Sequence, residues 1–155
     1  PLEFTRETVE GKTIIITTTN GTRAIRRAYE AEEVVIGCML NARAVAEHLC
    51  NQNKDVVILC AGTEGKFSLD DVMTAGMIAF DMCSRRNDIE LDDLAFASKY
   101  MYEINKNDIN AFLSNTYHYK RLKEAGFEDD IKYCLQNDVI SIVPHYENGI
   151  IKNKQ

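Results

Sequence analysis

The chain has 155 residues, 45% hydrophobic and 27% charged, with 8 Gly and 2 Pro, a profile that excludes a disordered or fibrous protein and suits one globular domain with a sizeable core. Eighteen Lys and Arg against 24 Asp and Glu give a net charge of -6, and the basic residues form no stripe that could track a polynucleotide, which excludes nucleic acid as a partner. No apolar run approaches the roughly 18 residues of a membrane-spanning helix, so no membrane partner is expected.

In chain order, residues 12–18 are a β-branched run ending at Asn20-Gly21, and residues 22–31 have helical spacing. Residues 33–37 contain the short apolar strand Val34-Val35-Ile36. Residues 41–51 repeat Ala42, Val45, Ala46 and Leu49 at helical intervals, and residues 55–60 give a further strand, Val56-Val57-Ile58-Leu59. Strand, helix, strand, helix, strand predicts right-handed crossovers and a parallel sheet, and continuous apolar strands predict a sheet covered on both faces.

The second half is helical. A long helix is expected over residues 69–86, with shorter ones over 92–105, 109–113, 117–125 (stopped by Gly126) and 129–135. Residues 139–143 read as a strand closed by Pro144, and residues 147–152 as a weak edge strand or tail. Residues 84–93 are the expected surface excursion, too short to divide two domains.

Ligands of open parallel sheets gather where strands lead into helix N-termini. After the first strand stand Thr17, Thr18, Thr19, Asn20, Gly21, Thr22 and Arg23: hydroxyls, a carboxamide, and a glycine able to adopt positive φ. Such a turn can offer N–H groups and a helix dipole to an anion, although a Thr-rich strand with an Asn-Gly turn and Thr22 as N-cap would look the same. After residues 55–60 come Gly62, Glu64, Gly65, Asp70 and Asp71. Their carboxylates suit Mg²⁺, while Ser68-x-x-Asp71 also reads as a capping box.

Other chemistry is disfavoured. Gly62 to Lys66 is too short for a P-loop. The five cysteines, Cys38, Cys50, Cys60, Cys83 and Cys134, are an odd number with no Cys-x-x-Cys pair, and no arginine follows any of them at the spacing a cysteine phosphatase needs. Their apolar neighbours predict buried structural thiols in a reducing compartment, hence a cytoplasmic protein. His48, His118 and His145 are scattered without metal-ligand spacing, so each is expected to be structural or solvated.

Assembled, these residues resemble the 2-phosphosulfolactate phosphatase (ComB-like) family. The matching elements are Thr18-Thr19-Asn20-Gly21-Thr22 after a strand, Asn41-Ala42 opening a helix, Cys60-Ala61-Gly62 with Gly65, Phe67-Ser68-Leu69-Asp70-Asp71, Ala75-Gly76, and Asp130 with Cys134 ahead of Val143-Pro144. Asp70-Asp71 stands where the family typically shows Glu-Asp. The resemblance implies a three-layer α/β/α fold with a mostly parallel sheet. It also implies Mg²⁺-dependent hydrolysis of 2-phospho-3-sulfolactate to 3-sulfolactate, in coenzyme M biosynthesis. By it, Thr18, Thr19, Asn20, Gly21 and Thr22 cradle phosphate or sulfonate, Arg23 adds charge at the rim, and Gly62 allows close approach. Asp70 and Asp71 hold the metal, and Glu64 positions the attacking water. Family members carry a further N-terminal segment, so residues 1–155 are expected to be one α/β domain, the C-terminal portion of a longer phosphatase, with its sheet incomplete alone and homodimerisation favoured. A non-catalytic module for small anions, or a half inactive until paired with that segment, is the rival reading.

Overall fold

The computed structural model describes residues 1–153. Helices dominate: α1 (Arg6–Val9), α2 (Gly21–Arg27), α3 (Ala42–Gln52), α4 (Leu69–Arg85), α5 (Asp93–Asn105), α6 (Ile109–Leu113), α7 (Tyr117–Glu124) and α8 (Glu128–Cys134). Three short strands, β1 (Val34–Val35), β2 (Pro144–Glu147) and β3 (Ile150–Asn153), make one sheet. Among the described residues no helix is long and apolar enough to cross a membrane.

Local chemistry sets the helix boundaries. Asp92, Asp108 and Thr116 each accept a hydrogen bond from the backbone N–H three residues on, at 2.8, 2.9 and 3.4 Å, and so open α5, α6 and α7. Gly126, at φ 84°, ends α7 with its N–H donating to the Lys123 carbonyl at 3.0 Å.

The core lies among helices. α4 packs against both α3 and α5, burying Met73, Met77, Ile78 and Met82 of α4 against Ala42, Val45 and Ala46 of α3 and Tyr102 of α5. Met39, Ile109 and Leu113 complete it, and unbranched methionine side chains fill the irregular space between crossing helices. α4 and α5 meet at Gly76, where a Cβ would run into the Ser98 carbonyl oxygen.

The sheet departs from the expected one. β1 pairs with β2 and β2 with β3, both antiparallel, in the order β1-β2-β3. The mostly parallel three-layer arrangement is therefore not formed by the strands among the described residues. Residues 12–18 and 55–60 lie outside any strand despite their β-branched sequences, because strand propensity becomes a ladder only where a partner supplies hydrogen bonds. Residues 139–143 are likewise outside a strand: Ile140 donates to the Leu40 carbonyl at 2.8 Å and Asp138 to Met39 at 3.0 Å, so this run is stitched to the turn before α3. Pro144 opens β2 rather than closing a strand.

Asn41 fixes that junction. It is 4% exposed, and its amide donates to the carbonyls of Ile36 at 3.2 Å and Ile142 at 2.9 Å while its Oδ1 accepts the Cys38 N–H at 2.8 Å. A buried amide satisfied on both sides holds β1, the start of α3 and the approach to β2 in register.

Candidate functional site

The two loops singled out in the sequence meet in space. Thr18 and Thr22 lock the first turn reciprocally: the Thr18 N–H donates to Thr22 Oγ1 at 2.9 Å and the Thr22 N–H to Thr18 Oγ1 at 3.3 Å. Asn20, the N-cap residue of α2, makes no side-chain cap bond. Its Oδ1 instead accepts the backbone N–H of Glu64 at 3.1 Å, across 44 residues of sequence. Thr19 is exposed beside it, and Arg23 is exposed in the first turn of α2.

Gly21 corrects one expectation. It is the first residue of α2 and does not lie in the left-handed region; a Cβ there would approach Thr18 Oγ1 to 2.9 Å, so a larger residue would have to displace the Thr18 hydroxyl. Gly62 is the left-handed glycine, at φ 73°, and a Cβ there would sit 2.5 Å from the Lys66 carbonyl oxygen. Close approach at Gly62 thus serves the loop's own fold. Between them, Thr63 and Lys66 exchange two backbone hydrogen bonds of 3.0 Å, with Glu64 at φ 55° and Gly65 at φ 75°. Two consecutive positive φ values make a type I′ turn, which places Glu64 at an exposed tip.

The acidic pair opens α4, but the capping box expected at Ser68-x-x-Asp71 does not form. Ser68 is the N-cap without a side-chain cap bond; its hydroxyl donates to Asp70 Oδ1 at 3.1 Å and lies 3.1 Å from Thr63 Oγ1. Asp71 turns back to the loop, where its Oδ2 accepts the Gly62 N–H at 2.6 Å. Burial pushes the Asp71 carboxyl above its ordinary value, the Gly62 N–H opposes that, Asp70 adds to it, and His118 opposes it. A half-buried carboxylate beside a second one is short of positive charge, the condition a hard divalent cation relieves.

α7 supplies two residues that sequence reasoning missed. His118 Nε2 lies 3.9 Å from Asp70 Oδ2, and Arg121 Nη1 pairs with Glu64 Oε1 at 2.7 Å. Their only signal is the three-residue spacing that puts both on one face of α7, and nothing in it points to loops more than 45 residues upstream. A cavity of about 520 Å³ lies among α6, α7 and α8, lined by Asn110, Tyr119 and Lys123, and contains none of these residues. Converging polar groups rather than volume define the site.

The cysteines also differ from expectation: Cys38, Cys60 and Cys134 are exposed, and Cys50 and Cys83 are half-buried free thiols. The strands expected to cover them are absent around residues 55–60. Partial burial of the sulfur still raises the Cys60 thiol above its ordinary value, with Asp71 raising it further, so this cysteine beside the site is a weak nucleophile.

A family profile described as 2-phosphosulpholactate phosphatase matches residues 1–149. Similar proteins, each named probable 2-phosphosulfolactate phosphatase, include one from Caldanaerobacter subterraneus subsp. tengcongensis, 50% identical over 155 residues that are 100% of this chain and 64% of that protein. One from Clostridium tetani is 45% identical over 152 residues, 98% of this chain and 64% of its own length, and one from Clostridium acetobutylicum is 45% identical over 151 residues, 97% and 64%. The chain spans 64% of the length of these curated relatives. It belongs to the 2-phosphosulfolactate phosphatase family.

Proposed function

Proceeding from that membership, we propose that the chain carries the phosphate-handling loops of a Mg²⁺-dependent phosphomonoester hydrolase that converts 2-phospho-3-sulfolactate and water to 3-sulfolactate and phosphate. The observation that carries the reading is the hydrogen bond from the Glu64 N–H to Asn20 Oδ1, which joins a hydroxyl- and N–H-rich turn to a carboxylate pair in one mouth. A phosphate monoester needs its charge neutralised and its reacting oxygens oriented more than it needs covalent chemistry.

In this reading Thr18, Thr19, Asn20, Gly21 and Thr22 cradle the phosphate or the sulfonate with their hydroxyls and with backbone N–H groups other than those of Thr18 and Thr22, which the turn's own hydrogen bonds use, and Arg23 and Arg121 add positive charge at the rim. Asp70 and Asp71 would hold Mg²⁺, which supplies charge neutralisation on the phosphoryl oxygens. Gly62 holds Asp71 in place through its N–H. Glu64, paired with Arg121, would orient the attacking water, and His118, 3.9 Å from Asp70, would give the leaving alkoxide its proton as the ester P–O bond breaks.

The test compares wild type and Asp71→Asn in the full-length protein, on 2-phospho-3-sulfolactate and a generic phosphomonoester, with Mg²⁺ and after chelation. Wild type should require Mg²⁺ and prefer the sulfonated substrate, and Asp71→Asn should lose at least about 100-fold in kcat/KM, partly regained at high Mg²⁺. Wild-type activity in Asp71→Asn at ordinary Mg²⁺ would remove that residue from the metal assignment. Hydrolysis unaffected by chelation would remove the metal itself.

A further inference from the structure

Two histidines expected to be unrelated come together at the opposite kind of site. Glu33 immediately precedes β1, His48 lies in α3, and His145 stands in β2 directly across from Val35 of β1. His48 Nε2 is 2.9 Å from one carboxylate oxygen of Glu33, and His145 Nδ1 is 3.0 Å from the other. The imidazole rings meet edge to face with centroids 5.0 Å apart. One ligand atom from each of the three residues falls within 4.8 Å of the other two.

We propose that Glu33, His48 and His145 form a binding site for one divalent transition-metal ion of the zinc class. Two imidazole nitrogens and a carboxylate oxygen are a donor set suited to Zn²⁺, Co²⁺ or Fe²⁺ and poorly suited to Mg²⁺, which takes oxygen ligands. Three protein ligands leave a coordination position for water, as in open zinc sites.

A second observation points the same way. His145 is 4% exposed, and its buried Nδ1 has no hydrogen-bond partner among the described residues: Glu33 Oε1 is within ion-pair distance but off the line a hydrogen bond requires. A buried ring nitrogen facing a carboxylate without a hydrogen bond is costly unless something electropositive lies between them. Access exists from one side. The His48 and Glu33 side chains are 22% and 29% exposed, and a cavity of about 360 Å³ lined by Tyr29, Glu32, Glu33, Val34, Tyr146 and Glu147 adjoins them. Its acidic rim favours cation entry. A bound ion would tie β1, α3 and β2 together, through His48 of α3, His145 of β2 and Glu33 just before β1.

None of the three ligands belongs to the phosphate-handling loops, so the site stands or falls separately from the proposed hydrolase. The test titrates reduced, metal-free protein with Zn²⁺ by calorimetry and with Co²⁺ by visible absorption, alongside His48→Gln, Glu33→Gln and His145→Gln. Wild type should bind one ion with Kd near or below about 1 µM, gain several degrees in Tm with Zn²⁺, and be indifferent to millimolar Mg²⁺. Each variant should weaken Zn²⁺ by about 100-fold. Should His145→Gln fail to fold, the partly exposed His48 carries the comparison, with circular dichroism as the check on folding. All five thiols remain in every variant, so Zn²⁺ affinity unchanged in His48→Gln assigns binding to cysteine and overturns the proposal. Absence of wild-type binding overturns it too, leaving Glu33 hydrogen-bonded to His48 and within ion-pair distance of His145.

Discussion

Asp71 works against the fold it sits in. Its carboxyl is raised above the ordinary value, chiefly by burial and also by Asp70, so the folded state binds the proton more tightly than the unfolded state. By linkage, the stability this gives is present at acid pH, where both states are protonated or the fold alone is. It is lost as pH rises from the ordinary carboxylate range through the raised folded value, and stays lost above it. Asparagine keeps an oxygen for the Gly62 N–H and removes the charge. Asp71→Asn should therefore melt at or above the wild-type temperature at neutral pH, with the difference shrinking as pH falls through that window. A neutral-pH Tm several degrees below wild type would instead make the carboxylate structural. Asn41 is the contrasting case, a polar side chain whose buried donors and acceptor all have partners and which therefore holds the fold rather than straining it. Both residues stood out in the sequence as loop or helix-opening positions, but only the partner atoms, 9 residues away for Asp71 and 101 for Asn41, separate a carboxylate whose charge the fold disfavours from an amide that holds the fold together.

Helices after α1 were legible, while of the expected strands only Val34-Val35 and the C-terminal edge around Ile150 and Ile151 formed, for one physical reason. Ala42, Val45, Ala46 and Leu49 declare the buried face of α3, and Asp92, Asp108 and Thr116 declare three helix starts, because helical hydrogen bonds and caps are made within a few residues. Val56-Val57-Ile58-Leu59 has every mark of a strand, yet a ladder is a property of two segments. The same limit hid His118, Arg121 and the pairing of His48 with His145. What helix-helix contact demands is visible at Gly76, where α4 passes tightly against α5. Away from a contact, alanine for a helical glycine would gain about 1 kcal/mol in propensity. At Gly76 the added methyl would meet the Ser98 carbonyl and Tyr102 Cβ, backbone and the base of a side chain that cannot swing aside. Gly76→Ala should thus cost a net of about 2 kcal/mol, a fall of roughly 6 °C in Tm. A rise in Tm would mean that the two helices do not touch there.

At the scale of the whole molecule, burial is uneven. The helical core is dense, while Ile14, Ile15 and Ile16 are 46%, 97% and 62% exposed and Val57, Ile58 and Leu59 are 90%, 37% and 50% exposed. Single exposed apolar residues are ordinary, but two consecutive β-branched or aliphatic runs outside any strand are sequences built to pair with other extended chain. A net charge of -6 opposes association only weakly once salt screens it. The 155-residue chain should therefore bind an apolar dye such as ANS and sediment above its 17.6 kDa monomer mass, increasingly so with concentration. Ile15→Lys combined with Val57→Lys should reduce both effects, because charge on exposed strand sequences blocks pairing. Tm should stay almost unchanged, since side chains 97% and 90% exposed contribute almost nothing to the core. A wild-type chain that is monomeric and silent to the dye would show that these runs are covered in solution; a double variant that unfolds would show that they are buried against the rest of the chain.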